Sequence, residues 1–322
     1  MDYASSGVDI EAGNHAVELI KKHVQSTYSP FVLNKLGGFA AHFELPTGYT
    51  QPVLVSCTDG VGTKVKLAIE ANDFSTVGID LVAMCVNDMI CSGAKPLFFL
   101  DYIACHKLVP TQMEALVASM SEGCRQAGCA LVGGEMAEMN ELYHPGDFDL
   151  AGFSVGVVEK SKVITGASIA PGHFVYALPS SGLHSNGFSL ARHVLTESVR
   201  DQYGLRLQDL LTPTKIYVNE ILDLCSRFSI SGIAHITGGG LAENTARVVP
   251  AGVTIEIEQS KLPSLPIFEA ISAAGQVSDD EMRRVFNMGV GMIVISPEAL
   301  PESESLIRVG QVVAGQTPVI LY

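Results

Sequence analysis

The sequence predicts an α/β protein of two domains. At roughly 150 residues per domain, 322 residues are enough for two domains, each with a core of its own. In both halves, short apolar runs typical of strands alternate with segments whose apolar residues recur every three to four positions, as in helices. Glycines gather in polar loops after several of these strands, where a backbone without Cβ can approach a ligand closely.

The first half is predicted to be a mixed α/β domain. Its helices show the helical spacing of apolar residues, whereas its strands are apolar runs that end at turn residues. In chain order the predicted elements are a helix over 10–25, a strand over 52–58, a helix over 76–92, a strand over 96–105, a helix over 111–127, and strands near 130 and over 150–159.

The same patterns predict a second α/β domain in the second half. Its predicted elements are a strand over 173–178, helices over 187–200 and 214–227, a strand over 232–236, a helix over 241–248, a strand over 253–258, further helices, a strand over 290–295, and a last strand that ends at Tyr322. Turn residues at Thr165-Gly166 and Pro171-Gly172 separate the halves, so the predicted domains are 1–164 and 165–322.

Composition and charge exclude several classes of protein. Hydrophobic residues make up 47% and charged residues 17% of the chain, and no apolar run reaches membrane-spanning length, so disorder and a membrane span are not expected. The net charge of −14 disfavours nucleic-acid partners, and an anionic substrate would need help from a metal ion or backbone donors. Seven cysteines without a C-x-x-C pair, and no secretory signal, predict a reducing, cytoplasmic location.

The strongest local motif follows the first strand and reads Thr58-Asp59-Gly60-Val61-Gly62-Thr63-Lys64. A carboxylate for Mg²⁺, glycine N–H groups, a hydroxyl and a Lys are the parts of a phosphate and metal site, so Gly60, Gly62, Thr63 and Lys64 are candidate phosphate ligands. The motif is not a Walker A loop, because Thr precedes the Lys where that loop requires Gly. A hairpin turn with a capping Asp is the alternative.

The helix predicted over 76–92 is apolar almost all round, yet it carries Asp80, Asn87 and Asp88 on one side. Buried carboxylates need partners, and a divalent cation is an efficient partner. Asp59 and Asp88 are therefore the first candidates for metal ligands. The alternative is a pair of hydrogen-bonded acids in an ordinary core or subunit contact.

A third group of acids is expected beyond two further strands. Asp101 ends the run Pro96–Leu100, while Glu135 and Glu138 follow Gly133-Gly134 after the strand near 130. Carboxylates at this position suit a second Mg²⁺, with Glu135 as a ligand, or an amine of a substrate. Solvated loop acids are an equally good interpretation.

Two loops of the second half are candidate phosphate sites. His184 stands in Ser180-Ser-Gly-Leu-His-Ser-Asn-Gly187, where Ser185 or Asn186 could cap the next helix and His184 could serve as proton donor or charge partner. Gly238, Gly239 and Gly240 likewise lead into a helix. A capping loop with an incidental His is the alternative for the first of them.

Taken together, nine motifs in order resemble the phosphoribosylformylglycinamidine cyclo-ligase family. The loop from Asp59 to Lys64 alone indicates only a wider superfamily, which also holds selenophosphate synthetase and thiamine-monophosphate kinase, whereas the ordered set is far more specific. The motifs are Gly7–Asn14, Leu36–Phe39, Asp59–Lys64, Gly78–Asp88, Pro96–Tyr102, Gly133–Met139, His184–Gly187, His235–Gly240 and Phe286–Met292.

This resemblance implies the ATP-driven ring closure of formylglycinamidine ribonucleotide to aminoimidazole ribonucleotide, with release of ADP and phosphate, in the fifth step of de novo purine biosynthesis. It further implies Mg²⁺ dependence and a homodimer whose N-terminal domains build a shared β-barrel. By position, Lys21, Asp59, Asp88 and His184 match functional residues of the family. The chain departs from the family pattern at Ala4-Ser5-Ser6 and at Ala40.

Two other functions stay open on the sequence alone. A sibling kinase or synthetase of the superfamily would share the fold, although selenophosphate synthetase would be expected to carry a reactive Cys near its N-terminus and the first Cys here is Cys57. A dimeric nucleotide-binding regulator is the non-enzymatic alternative, against which the carboxylates and His184 count.

Overall fold

The computed structural model of the protein describes residues 9–322. The departure at Ala4–Ser6 and the first two residues of the motif Gly7–Asn14 therefore lie outside the described residues. Two compact units are formed, one by the chain up to Met89 with Ala94–Ser161, the other by Ile90–Gly93 with Lys162–Tyr322. The domain boundary after residue 164 stays a prediction. Within residues 9–322, no helix is long and apolar enough to cross a membrane.

The first unit is built on a four-stranded mixed sheet. The strand order is β1-β4-β2-β3, with antiparallel pairing throughout except between β2 and β3, which are parallel. This confirms the predicted mixed α/β character of the first half. Its elements are α1 (Ile10–Gln25), β1 (Pro52–Gly60), α2 (Lys64–Ala71), α3 (Val77–Ile90), β2 (Lys95–Cys105), α4 (Pro110–Ala127), β3 (Ala130–Glu138) and β4 (Phe148–Glu159).

Helix α1 has the bounds that the sequence predicts, and its local chemistry explains them. The Asp9 carboxylate caps the helix by accepting a hydrogen bond from the Ala12 N–H at 3.0 Å. Ala16, Ile20 and Val24 recur every four residues and are buried. They hold one side of the helix against the rest of the unit.

Helix α3 is buried on almost all sides, as its composition predicts, and two glycines of β4 allow its close approach. A Cβ at Gly152 would collide with the Phe99 ring and come within 3.0 Å of the Cys85 sulfur, and a Cβ at Gly156 would collide with Met89. Of the residues from Val77 to Ile90, only Asp88 is exposed. The helix therefore presents a single carboxylate to solvent at its C-terminal end.

We expect Gly152→Ala to lower the free energy of unfolding by ~1–3 kcal/mol, because the added methyl overpacks the contact between α3 and the sheet. Gly13→Ala is the matched control, since this residue lies inside α1 with nothing within 4 Å of an added Cβ. That change should stabilise the protein by ~0.4–1 kcal/mol. Urea denaturation measures both, and equal effects of the two substitutions would contradict the packing argument.

The second unit has a six-stranded sheet of order β10-β7-β9-β5-β8-β6, in which only β10 and β7 pair in parallel. Buried Val and Ile side chains from its inner strands form the core. Its elements are β5 (Phe174–Pro179), α5 (Phe188–Val194), α6 (Glu197–Tyr203), α7 (Leu207–Leu210), α8 (Val218–Arg227), β6 (Gly232–His235), α9 (Gly240–Ala246), β7 (Val253–Ile257), α10 (Pro266–Gly275), α11 (Asp279–Val285), β8 (Val290–Ser296), β9 (Ile307–Ala314) and β10 (Val319–Leu321).

Several element predictions need correction. The loop after β1 leads into α2, a helix that the sequence analysis did not predict. The single helix expected over 187–200 is divided into α5 and α6, because the chain leaves the helical conformation at Leu195 and Thr196. The helix expected from residue 214 begins at Val218.

Candidate functional site

The loop after β1 is shorter than its motif suggests. Asp59 and Gly60 are the last residues of β1, and only three residues separate them from α2. The Asp59 carboxylate accepts a hydrogen bond from the Gly60 N–H at 2.8 Å. Gly62 has a φ of 73°, a conformation that glycine adopts without strain, while Thr63 is exposed at the N-terminus of α2. The candidate phosphate ligands Gly60, Gly62 and Thr63 thus lie on one tight strand-to-helix turn.

Lys64 is turned away from the surface of this loop. Its ammonium contacts the Asp80 carboxylate of α3 at 2.8 Å, and both side chains are 0% exposed. Burial lowers the pKa of Lys64, and the neighbouring Asp80 charge opposes that shift. The predicted contact of the Lys64 ammonium with a phosphate group stays a prediction. In the structure, the Lys ties the start of α2 to the first turn of α3.

Asp59 and Asp88 lie close to the same pair of thiols. Burial, together with the charges of Asp88 and Asp59, raises the pKa of the Cys57 thiol to about 11. Burial also raises the pKa of Cys85, and again Asp59 and Asp88 contribute. The geometry agrees, because Asp59 pairs with Gly152 of β4, and a Cβ at Gly152 would come within 3.0 Å of the sulfur of Cys85, which lies three residues before Asp88 on α3. The end of β1 is therefore next to the C-terminal half of α3.

The third group of acids lies on strands and not in loops. Strand β3 continues through Gly133 to Glu138, and Asp101 stands inside β2, opposite Gly134. Asp101 is 8% exposed, and burial together with the Glu135 charge raises its pKa to about 7, although a hydrogen bond from its own backbone N–H opposes the shift. Among residues 9–322, no three His, Cys, Asp or Glu side chains are grouped closely enough to hold a metal ion. Glu135 is therefore not grouped with Asp59 and Asp88.

A hairpin-like segment, residues 31–44, which we name the flap, stands beside these strands. Val32 and Phe43 form a β-bridge, and the Asn34 side chain closes the tip by bonding the Ala40 carbonyl at 2.8 Å and the His42 N–H at 2.6 Å. The Phe43 ring packs on Phe98 of β2, with ring centroids 5.2 Å apart. The flap is thereby anchored at its base and exposed at its tip.

A cavity of about 810 Å³ opens between the flap tip, α1, β2 and β3. Most of its lining is apolar, with Asp101 and Glu135 as the acids and Lys35 as the base. Lys21 lies on α1 next to the lining residue Ile20, and its ammonium contacts the Glu18 carboxylate at 2.5 Å. The family-matched Lys21 is thus a surface ion-paired side chain.

His184 belongs to the second unit and is buried, at 1% exposed. Its Nε2 accepts a hydrogen bond from the Ser181 N–H at 3.1 Å, so in the neutral ring the proton is on Nδ1. The backbone of His184 has a φ of 60°, an uncommon conformation for a residue with a side chain. The predicted cap by Ser185 or Asn186 is wrong, because Gly187 is the N-terminal cap of α5 and no side chain caps it.

The loop with Gly238, Gly239 and Gly240 lies beside Asn186. A Cβ at Gly238 would stand 3.5 Å from the Asn186 side-chain oxygen. Asn244, which sequence reasoning did not single out, donates hydrogen bonds to the carbonyls of Thr237 at 3.3 Å, Gly238 at 3.2 Å and Gly240 at 2.8 Å. It is 2% exposed and holds the loop carbonyls inward. In the sequence, the only signal for this role of Asn244 is its position four residues after Gly240.

Family comparisons cover both units. Residues 40–158 match the family described as "AIR synthase related protein, N-terminal domain", and residues 170–320 match "AIR synthase related protein, C-terminal domain". A protein of Brevibacillus brevis named phosphoribosylformylglycinamidine cyclo-ligase is 51% identical over 96% of this chain and 92% of its own. A protein of the same name from Geobacter sulfurreducens is 53% identical over 95% of this chain and 90% of its own.

Solved structures with the same fold are more distant in sequence. The hydrogenase maturation protein HypE in complex with ATP has a TM-score of 0.67 at 20% identity and covers 98% of this chain and 92% of its own. Thiamine-monophosphate kinase from Stenotrophomonas maltophilia has a TM-score of 0.63 at 17% identity and covers 95% of each chain. At such identities the likeness establishes the fold and nothing further.

Proposed function

Because this chain belongs to the phosphoribosylformylglycinamidine cyclo-ligase family, we propose that the loop after β1 and the loops around His184 and Gly238 carry the reaction of that family. The reaction is the ATP-dependent ring closure of formylglycinamidine ribonucleotide to aminoimidazole ribonucleotide, with release of ADP and phosphate, the fifth step of de novo purine biosynthesis. The observation that supports this assignment of residues most directly is the packing of β1 beside α3, where Asp59 pairs with Gly152 and Gly152 lies against Cys85, three residues before Asp88.

Ring closure requires an oxygen to leave the formyl carbon, and an amide oxygen is a poor leaving group. Transfer of the terminal phosphoryl group of ATP to the formyl oxygen makes it a good one. The nitrogen on the amidine side then attacks the formyl carbon, the bond from that carbon to the phosphorylated oxygen breaks, and phosphate and a proton depart. No covalent enzyme nucleophile is needed, so the protein contributes position and charge.

Asp59 and Asp88 are the residues that we propose hold Mg²⁺. Mg²⁺ in phosphoryl-transfer sites binds through one or two carboxylates together with substrate phosphates, so two neighbouring acids fit the ion without a third protein ligand. When bound, Mg²⁺ neutralises phosphate charge during transfer. Glu135 stands outside this pair and belongs with the acids of the cavity beside the flap.

The remaining predicted residues are assigned to the phosphates. Backbone N–H groups of Gly60, Gly62 and Thr63 are proposed to bind one set of phosphate oxygens, and those of Gly238–Gly240 another. In our proposal the Nδ1–H of His184 stabilises charge on the transferred phosphoryl group, with the Asn186 amide beside it. Lys21 is proposed to contribute a positive charge by exchanging Glu18 for a phosphate.

The first experiment measures ADP release by the purified protein with Mg²⁺ and ATP, with and without formylglycinamidine ribonucleotide, alongside formation of aminoimidazole ribonucleotide. ADP that depends strictly on the substrate and equals the aminoimidazole formed is the expected result. Absence of ADP under both conditions would contradict this activity and direct the search to substrates of the sibling kinases and synthetases.

We propose further that the protein is a homodimer joined through the open face of the first-unit sheet. Leu54 of β1 and Phe153 of β4 are 64% and 42% exposed on this face, and Val155 lies between them in the register of the two strands. A row of exposed apolar residues on a sheet is typical of an interface. A second copy of the same face would complete the barrel that the family resemblance implies.

Leu54→Lys combined with Phe153→Lys is expected to convert the dimer to a monomer, because charged side chains cannot be buried at the centre of an apolar interface. Leu142→Lys is the control, since Leu142 is also exposed but lies between β3 and β4 and outside the sheet face. Sedimentation velocity gives the mass of each variant. A monomeric unsubstituted protein, or a double variant that stays dimeric, would refute this interface.

The cytoplasmic location predicted from the sequence is kept as a proposal. Its support is that the seven cysteines, all of which lie within the described residues, form no disulfide. A protein without disulfides agrees with a reducing compartment.

A further inference from the structure

The two buried acids of the first unit differ in how their charge is compensated. Asp80 contacts the Lys64 ammonium at 2.8 Å. Asp101 is also buried. In the described part of the chain, the groups that act on its pKa are its own backbone N–H and the Glu135 carboxylate, and neither is a cation. Burial without a cation disfavours the charged form of a carboxyl group, and a cationic ligand would stabilise that form.

Asp101 is also placed where a ligand can reach it. Gly134 stands opposite it on β3, an edge strand of the sheet, and a Cβ at Gly134 would collide with the Asp101 carboxylate. The carboxylate therefore occupies the space that a side chain at position 134 would fill. Both residues line the 810 Å³ cavity beneath the flap tip.

The charge of the cavity favours a cation. Asp101 and Glu135 are its two acids, and Lys35, the one basic residue among the described residues of the lining, is exposed on the flap tip. Cys124 of α4, whose pKa the Asp101 charge affects, is a buried thiol with a pKa raised mainly by burial, so it adds no compensating charge. The rest of the lining is mostly apolar and carries no further charged side chain.

We propose that Asp101 binds the amidine group of formylglycinamidine ribonucleotide in this cavity. The inference rests on the proposed function, which supplies the substrate. An amidine is a strong base that is protonated at neutral pH, and its two N–H groups form a planar fork, the arrangement with which guanidinium groups bind carboxylates. Adenine and phosphate groups of ATP are neutral or negative and would not compensate the Asp101 charge.

Asp101→Asn tests this assignment, because Asn has the same shape and no charge. The Michaelis constant for formylglycinamidine ribonucleotide is expected to rise at least ~10-fold, the loss of one charge-assisted hydrogen bond, while that for ATP stays within about twofold. The second readout is inhibition by the amide analogue of the substrate, in which oxygen replaces the charged nitrogen of the amidine. Its inhibition constant should not change, because a neutral amide gains nothing from the Asp101 charge.

Equal weakening of the substrate and its amide analogue, or no change in either, would overturn the proposal. Gly134→Ala is the second variant, since its methyl displaces the carboxylate without removing it. If Asp101→Asn does not fold, the Michaelis constant for the substrate and the inhibition constant of the amide analogue are measured on Gly134→Ala instead. Asp147→Asn, at a surface ion pair with Lys66, is the control and should change neither constant. An unsubstituted protein that forms no aminoimidazole refutes the function itself, whereas normal turnover with an unaffected Asp101→Asn variant refutes only the Asp101 assignment.

Discussion

Replacing Asp59 by Asn is expected to lower turnover at least ~100-fold, the size of effect seen when a key electrostatic group is lost from an active site. Asn keeps an oxygen that can accept the hydrogen bond from the Gly60 N–H, so the turn between β1 and α2 is preserved. What is lost is the charge that, in the proposed metal site, would hold a cation beside Asp88. Turnover measured at saturating ATP and several Mg²⁺ concentrations gives the effect.

A second readout tests the position of Asp59 without relying on activity. Because the negative charge of Asp59 contributes to the raised pKa of Cys57, Asp59→Asn should lower that pKa and make the thiol more reactive with iodoacetamide at pH 9 to 10. Asp223→Asn, at an exposed ion pair on α8, is the control and should alter neither property. Near-normal turnover at saturating Mg²⁺ would exclude the proposed role of Asp59 in metal binding.

Replacing Lys64 by Met is expected to lower the free energy of unfolding by ~3–5 kcal/mol, because it leaves the Asp80 carboxylate buried without the ammonium that it contacts. Met has nearly the length of the Lys side chain, so the change removes charge more than volume. Lys66→Met is the matched control two residues along α2. Its ion pair with Asp147 is partly exposed, so its loss should lower stability by less than ~1 kcal/mol.

The double variant with Lys64→Met and Asp80→Leu separates the cost of an uncompensated charge from the cost of lost packing. Replacing both members of a buried pair by apolar residues is often neutral, so the double variant should recover most of the stability lost by Lys64→Met. Guanidinium denaturation of the two single variants and the double variant completes the cycle. Additive losses would show that the two side chains act independently.

Regular elements with strong periodicity were predictable from the sequence. Helix α1 has the predicted bounds, and α3 is buried all round as its lack of Lys, Arg and Glu indicates. Helix α2 was missed because its first residue, Lys64, belongs to a motif that suggests a phosphate loop, and its eight residues are too few for a clear period. Strand β3 was predicted too short because Gly133 and Glu135 are typical of loops, yet its pairing with β2 continues to Glu138.

The site was predictable in its residue types and less so in its contacts. Asp59 and Asp88 were identified as a pair from a loop motif and a helical position. The structure places the end of β1 next to α3, and the metal-binding role of the pair stays a prediction. The partner of Lys64 was not predictable, since Asp80 stands 16 residues away and nothing in one sequence links two distant charges. Asn244 was missed for a similar reason, because its three bonds to loop carbonyls depend on how α9 begins.

The activity was predictable only through resemblance. The spacing of Asp59, the glycines and Lys64 indicates a phosphate site in many possible enzymes, whereas the ordered set of motifs pointed to one family, and relatives at 51% and 53% identity confirm that family. The amidine interpretation of Asp101 needed the structure, since its burial, its place opposite Gly134 and the cavity beside it are not visible in the sequence.

The order of strands in the first unit has a consequence for synthesis on the ribosome. Strand β1 has β4 as its partner, with Pro52 opposite Glu159, so more than a hundred residues must follow β1 before it can enter the sheet. At about 5–20 residues per second, translation leaves β1 without that partner for roughly 5 to 20 s. During this time its unsatisfied N–H and C=O groups are exposed to other nascent chains, so β1 is the segment of the first unit in greatest need of a chaperone.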